Sequence, residues 1–301
     1  MNITKVEQRR FVFINFSLLT KKLLDILVLS TVFTAIVGAS IISFSYLLYL
    51  NKIPIDMVIA TSLTTYSVYS LNRVTDIEED KTNLPERVDF IRERKNTVIF
   101  LSIFAYALAL IIGIFRNIET VPVFLIPFIA GAIYSIKIRS FRVKDLLAMK
   151  NLTVSFSWSL SSSLLPFIFY RNIKMFIMLF SFLFLKVFVN TIVFDVRDVE
   201  GDRMAGTRTI PVVIGRSNTK KLLMILNTFL LILAFLSFKM GFFSEYLPVM
   251  LFSVFYGYCY ILKFCKNEKN NKYYFDYLVD GEFIFLAILS LSIHFLSRYH
   301  A

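Results

Sequence analysis

Long apolar stretches separated by short charged segments run along almost the whole chain of 301 residues. A helix needs about 20 mostly apolar residues to cross the ~30 Å hydrocarbon core of a bilayer, and nine stretches reach or approach that length. The nine predicted spans are residues 23–49, 54–71, 97–115, 120–136, 146–169, 175–194, 222–238, 246–264 and 276–296. The pattern predicts an all-α, polytopic membrane protein with nine transmembrane helices in one bundle.

The composition supports this prediction. Hydrophobic residues make up 57% of the chain and the mean hydropathy is +0.67, which is more apolar than a soluble domain. No linker rich in Pro, Gly or Ser divides residues 23–301, so we expect one transmembrane domain there. Residues 1–22 lack a small-residue cleavage site and end on Lys21 and Lys22, which favours an amphipathic helix on the membrane surface over a signal peptide.

Lysine and arginine fall mainly on one side of the predicted membrane. With loops assigned alternately to the two sides, 26 of these residues lie on one side and 6 on the other. Because cytoplasmic loops accumulate Lys and Arg, we expect the N-terminus on the cytoplasmic side of the cell membrane and the C-terminus on the external side. The net charge of +12 then reflects this topology and attraction to membrane lipids and anionic substrates, and we expect no nucleic-acid partner.

Two acidic clusters follow the second and sixth predicted spans, on the side assigned to the cytoplasm. The first comprises Asn72, Asp76 and Asp80, and the second comprises Asp195, Asp198 and Asp202. At about 100° per residue, the members of each cluster share one face of a helix. Mg²⁺ prefers oxygen ligands and is usually held by one or two carboxylates together with substrate phosphates. We interpret the clusters as facing Mg²⁺ sites for a diphosphate. They could instead be solvated loop charges, but their corresponding positions favour a shared site.

Basic residues near the clusters extend the candidate site. The basic residues on the same side are Arg73, Lys137, Arg139, Arg203 and Arg208, whose positive charge suits phosphate binding. Arg73 shares the helical face of Asp76, and we favour a role as diphosphate ligand over a structural ion pair with Asp76.

Lys186 and Asn190 lie one turn apart inside the sixth span, where polar residues are costly to bury. They are therefore candidates either for substrate contact or for hydrogen bonding between helices. Asp280 and Glu282 begin the last span and either line a chamber or lie at the membrane interface.

These segments resemble the motifs of the UbiA superfamily of intramembrane prenyltransferases. The first motif is matched by Asn72-x-x-x-Asp76-x-x-x-Asp80 and its continuation Asn83-x-Pro85-x-Arg87, and the second by DVRDVEGDRMAGTRTIPVVIG at residues 195–215. Tyr134-Ser135 followed by Lys137 resembles a further signature of the fourth loop. Arg73 departs from the pattern, because the family often has an acidic residue at that position.

The resemblance implies a helical bundle around a central chamber that opens to the membrane. It implies that the Asp and Asn residues of both clusters hold Mg²⁺ and a diphosphate, with Asp195 in support and Asp76, Asp80, Asp198 and Asp202 catalytic. The implied reaction is ionisation of an allylic prenyl diphosphate, followed by transfer of the prenyl group to a lipophilic or aromatic acceptor.

Tyr66 and Tyr69 lie within two turns of the first cluster, where their rings could stabilise a carbocation. A secondary transporter of an anionic or lipid-like substrate is the alternative, since intramembrane polar residues and two related halves also fit transport. A phosphatidyltransferase also uses clustered Asp residues, but the order of its signature residues is absent from this sequence.

Overall fold

The computed structural model describes residues 24–135, 137–138, 141–142, 146–266 and 273–299. The surface helix expected within residues 1–22 lies outside these ranges. The helices are α1 (residues 24–29), α2 (Val32–Leu50), α3 (Ile55–Thr75), α4 (Ile77–Asn83), α5 (Pro85–Glu93), α6 (Lys95–Arg116), α7 (Thr120–Ser135), α8 (Met149–Phe169), α9 (Ile173–Met204), α10 (Ile210–Lys239), α11 (Leu247–Phe264), α12 (Tyr273–Phe275) and α13 (Gly281–Tyr299).

Three short elements complete the described chain. A 3-10 turn, Ser244–Tyr246, precedes α11, and a π-helical turn, Asp276–Asp280, joins α12 to α13. Two antiparallel strands of two residues each, β1 (Lys137–Ile138) and β2 (Phe141–Arg142), form a hairpin after α7. The prediction of an all-α fold is confirmed, apart from this hairpin.

Nine of the described helices pack in a closed ring. Each helix contacts the next in the order α2, α3, α6, α7, α8, α9, α10, α11 and α13, and α13 packs back on α2. Large apolar side chains such as Phe100 and Phe104 are exposed on the outer surface, as expected for a surface that faces lipid.

Seven of the described helical segments are long and apolar enough to cross a membrane. Of the other two helices in the ring, α7 is apolar over only Thr120–Ala132, and α3 is 21 residues long but rich in Ser and Thr. All nine predicted spans therefore correspond to helices, although nine is an approximate count of membrane crossings. This architecture defines a multi-pass membrane protein.

The structure corrects the bounds of several predicted spans. The first predicted span, residues 23–49, is broken between α1 and α2, where Thr31 has a left-handed φ of 69°. The sixth predicted span ends at residue 194, whereas α9 continues to Met204 and carries the whole second acidic cluster. Helix α10 begins at Ile210, well before the predicted start at residue 222, and bends at Gly215, whose φ of 77° is unfavourable for residues with a Cβ.

Candidate active site

A cavity inside the ring of helices is charged at one end and largely apolar beyond it. Its ionisable and amide side chains at the charged end are Asn72, Arg73, Asp76, Asp80, Arg87, Lys150, Asp195, Arg197, Asp198, Asp276 and Asp280. The apolar wall includes Val37, Ile41, Val68, Val123, Phe124 and Leu165. Along α3 the lining runs from Thr61 to Asp76, so at 1.5 Å per residue the cavity is about 22 Å deep. The shape suits a ligand with an ionic head and a long apolar tail.

The first acidic cluster lies where α3 gives way to α4. Asp76 has φ −97° and ψ 14°, outside helical geometry, and therefore separates the two helices. The backbone hydrogen bonds nevertheless continue, because Asp76 N donates to Asn72 O at 2.9 Å and Asp80 N donates to Asp76 O at 3.0 Å. The three side chains stay on one side, and all three line the cavity as the sequence predicts.

The second acidic cluster lies on the last turns of α9. Asp195 is buried and accepts a hydrogen bond from Asn151 Nδ2 at 2.8 Å, and its Oδ1 lies 3.5 Å from Lys150 Nζ. Asp198 binds its neighbour Arg197 in a bidentate pair of 2.9 and 2.8 Å. Asp195 and Asp198 line the cavity. Asp202, about one turn further along α9, is buried and is not among the lining residues, and its Oδ2 atom has no hydrogen-bond partner among the described residues.

α4 and α9 are in close contact near the two clusters. Asn83, three residues after Asp80, packs directly on Gly201, one residue before Asp202. A Cβ added at Gly201 would lie 2.2 Å from Asn83 Oδ1, so the Asn83 side chain would have to move. Glycine at position 201 therefore leaves room for the Asn83 side chain between the two cluster-bearing segments.

Several residues at the charged end were not predicted as site residues. Asp276 Oδ1 lies 3.3 Å from Arg87 Nη2, and Asp276 Oδ2 lies 3.3 Å from Arg197 Nη1. In the sequence, Arg87, Arg197 and Lys150 read as inner-loop charges, although Arg87 belongs to the continuation of the first motif and Arg197 lies inside the second. For Asp276 the sequence carries no signal, because only the packing of the last span brings it to the cavity.

Arg73 lines the cavity but makes contacts that the sequence did not suggest. Its Nη1 donates to Val28 O at 2.8 Å, to Leu29 O at 3.1 Å and to Thr31 Oγ1 at 3.0 Å. These bonds hold the end of α1 and the left-handed turn at Thr31. The structure therefore adds a structural role that differs from an ion pair with Asp76, and the role as diphosphate ligand stays a prediction.

Of the two predicted aromatic residues, only one lines the cavity. Tyr69 lines the cavity, its hydroxyl accepts a hydrogen bond from Trp158 Nε1 at 2.6 Å, and the two ring centroids lie 5.8 Å apart. Tyr66 is not among the cavity-lining residues, so the structure does not place it with Tyr69 as expected.

Of the two polar residues inside the sixth predicted span, Lys186 and Asn190, likewise only one lines the cavity. Asn190 lines the cavity, and its Oδ1 accepts from Tyr260 OH at 2.5 Å. Lys186 is away from the cavity lining and forms a 2.7 Å ion pair with Glu282, and its Nζ also donates to Ser253 O at 2.9 Å. In the structure, Lys186 therefore connects helices and does not line the cavity. Of the two acids that begin the last span, Asp280 lines the cavity and Glu282 does not.

The remaining predicted basic residues lie elsewhere. Arg203 is exposed in a surface groove between α9 and α10, outside the central cavity, and Arg208 is also exposed. The side chains of Tyr134, Lys137 and Arg139 fall outside the described part of the chain, so their predicted roles rest on the sequence.

The donor set at the charged end fits Mg²⁺. Among the described residues, no group of three or more Asp, Glu, His or Cys side chains forms a ready-made metal site. The two clusters instead offer separate carboxylate and amide oxygens along the cavity, and Asp202, outside the lining, adds a buried Oδ2 without a hydrogen-bond partner among the described residues. Because Mg²⁺ commonly binds through one or two carboxylates plus phosphate oxygens and water, these residues suit an ion that binds together with a diphosphate.

Fold and site thus define a multi-pass helical membrane protein with an acidic and cationic chamber at one end of its bundle. The model of the UbiA prenyltransferase family matches residues 26–289, and the chain belongs to this family.

Individual relatives agree with this assignment. Digeranylgeranylglyceryl phosphate synthase from Pyrococcus furiosus is 26% identical over 184 residues, which are 61% of this chain and 64% of the relative's length. Two structures of a UbiA homolog from Archaeoglobus fulgidus, bound to GPP and Mg²⁺ or to DMAPP and Mg²⁺, superpose with TM-scores of 0.66 and 0.65 at 17% and 15% identity. Each comparison covers 88% of this chain and 95% of that chain, and at this identity it shows a shared fold.

Proposed function

We propose that this protein moves a polyprenyl group from an allylic prenyl diphosphate to a lipophilic or aromatic acceptor in a Mg²⁺-assisted reaction. The observation that carries the proposal is the two-part cavity, whose charged end holds residues of both acidic clusters and whose apolar part runs between the helices. The diphosphate would lie at the charged end and the prenyl chain along the apolar wall. The homolog structures that contain GPP or DMAPP with Mg²⁺ support this arrangement.

The oxygens of Asn72, Asp76, Asp80, Asp198 and Asp202 would hold Mg²⁺. When bound, the metal supplies stabilisation of the negative charge that develops on the departing diphosphate. Asp195 would support these ligands without binding the metal itself, since Asn151 and Lys150 already bind its carboxylate.

The chain's own side chains would perform the rest of the reaction. Arg87 and Lys150 line the charged end and would bind diphosphate oxygens. The apolar wall would exclude water, which otherwise captures the prenyl cation. The paired rings of Tyr69 and Trp158 lie on the wall about one turn from Asn72 and Arg73, where a π face can stabilise the cation.

The proposal also ranks the chemical classes of acceptor. A glyceryl lipid phosphate is the first candidate, because the relative from Pyrococcus furiosus is named as a synthase of a prenylated glyceryl phosphate. Phenolic or quinone precursors and lipid alkenes fit the cavity by the same chemistry.

A panel assay tests the proposal. Purified protein in lipid nanodiscs would receive Mg²⁺, prenyl diphosphates of several lengths, and one acceptor from each class, and the lipid products would be identified by mass. We expect a covalent prenylated product with one acceptor class. Uptake of substrate into sealed proteoliposomes without any covalent product would instead support the transporter.

We further propose that the protein lies in the cell membrane with the charged end of the cavity in the cytoplasm. The uneven distribution of Lys and Arg supports this orientation. A reporter fused after Lys272 should be cytoplasmic and a reporter fused at Ala301 external, as measured by paired enzymatic reporters active on opposite sides. Both reporters on one side would contradict the orientation and the last crossing.

A further inference from the structure

A buried carboxylate from the π-helical turn, Asp276, bridges two arginines at the charged end of the cavity. One oxygen lies 3.3 Å from Arg87, which belongs to α5 beyond the first acidic cluster. The other lies 3.3 Å from Arg197, which lies inside the second cluster on α9. A single side chain of the last span thus joins the segments that carry both motifs.

The two contacts of Asp276 are long for bonds between charged groups. Charge-assisted N–H···O bonds are usually about 2.7–2.9 Å, the range that Arg197 reaches with Asp198. Arg197 therefore has its stronger partner elsewhere, and Asp276 binds it with one oxygen only. The long contacts indicate that Asp276 can be displaced.

Arg87 has a donor that its neighbours do not use. The residue is only 8% exposed, yet its Nε has no hydrogen-bond partner among the described residues, and its Nη2 makes only the long contact to Asp276. Buried donors are normally satisfied, because an unmade bond costs free energy. The Nε and Nη2 atoms form one edge of the guanidinium, and such an edge suits two oxygens of a phosphate group.

We propose that Asp276 is an internal substitute for the substrate's diphosphate. This inference rests on the proposed function. Without substrate, Asp276 holds Arg87 and Arg197 at the charged end. The diphosphate takes the Nε–Nη2 edge of Arg87 when it binds, and Asp276 regains its contact with Nη2 when inorganic diphosphate leaves. Because Asp276 competes with the product, it accelerates product release.

The location of Asp276 fits this role. It begins the π-helical turn that ends at Asp280, and both carboxylates line the cavity. Single π-helical turns within α-helical segments are frequently found at functional sites.

The test is inhibition of the complete protein by inorganic diphosphate in the presence of Mg²⁺. Asp276→Asn removes the competing charge, so we expect its inhibition constant to be about tenfold lower than that of wild type, on the scale of one charge pair. We also expect a lower kcat, because product release slows. Asp276→Glu keeps the competing charge, so its inhibition constant for diphosphate should stay close to that of wild type. Asp56→Asn removes a carboxylate paired with Arg116 near the start of α3, far from the charged end, and serves as the matched control.

Arg87→Lys gives a second measurement that does not depend on the folding of Asp276→Asn. It keeps the charge but removes the guanidinium edge, so the inhibition constant for diphosphate should rise about tenfold. Unchanged or weaker inhibition of Asp276→Asn by diphosphate would overturn the inference, as would a higher Mg²⁺ requirement, which would make Asp276 a metal ligand. An unchanged constant in Arg87→Lys would overturn it as well. If wild-type protein bound no diphosphate at all, both the proposed function and this inference would fail.

Discussion

Asp76→Asn is expected to lower prenyl transfer by about 10²–10³-fold, the scale seen when one preorganised electrostatic contact to a transition state is removed. The amide keeps the size of the side chain but removes the charge that would hold Mg²⁺ against the diphosphate. Asp76 is half-buried at the break between α3 and α4 and lines the charged end of the cavity. We expect the variant to insert and fold normally, because the backbone bonds across the break do not involve its carboxylate.

The measurement is the rate of product formation at saturating prenyl diphosphate, with folding checked by size-exclusion chromatography and thermal denaturation. Asp89→Asn is the matched control, since Asp89 is an exposed carboxylate on α5, on the same side of the bundle. We expect the control to retain wild-type activity. Equal activity of Asp76→Asn and the control would remove Asp76 from the metal site.

Lys186→Met is expected to destabilise the protein by about 3–5 kcal/mol, the usual cost of removing one member of a buried ion pair. Lys186 and Glu282 are both 0% exposed and connect α9 to α13, while Ser253 of α11 contacts both through its carbonyl and hydroxyl oxygens. Without the lysine, the buried Glu282 carboxylate loses the cation with which it pairs. Thermal denaturation in a mild detergent would measure the loss.

The double variant Lys186→Met with Glu282→Gln separates the pair from its surroundings. Because neither charge remains, we expect the double variant to be more stable than Lys186→Met alone. The folded fraction of Lys186→Met should also keep the wild-type KM for prenyl diphosphate. A raised KM without a loss of stability would contradict the structural role and indicate that Lys186 contacts the substrate.

Features fixed by local composition could be predicted from the sequence. The length of an apolar stretch determines whether a helix can cross the membrane, and each predicted span corresponds to a helix or, for the first span, to two. The placement of Asp76 and Asp198 in one cavity follows from motifs at corresponding ends of helices. The structure confirms that placement, whereas the metal-binding role of both residues stays a prediction.

Features fixed by contacts between distant residues could not be predicted. The break at Thr31 is held by Arg73, more than 40 residues away in the sequence. The helical pattern alone could not place Tyr69 on the cavity wall and Tyr66 outside it, since that depends on which face of α3 lines the cavity. Asp276 carries no motif and reaches the arginines only because the last span closes the ring against α2.

The measurement that tests the central claim most directly is the metal dependence of the reaction itself. Purified protein would be incubated with an allylic prenyl diphosphate and an acceptor, and both prenylated product and inorganic diphosphate would be quantified before chelation, after chelation and after Mg²⁺ is restored. We expect the two products in equal amounts, their loss on chelation, and their recovery with Mg²⁺. Undiminished product formation in excess chelator would contradict the assignment of the two acidic clusters as a Mg²⁺–diphosphate site.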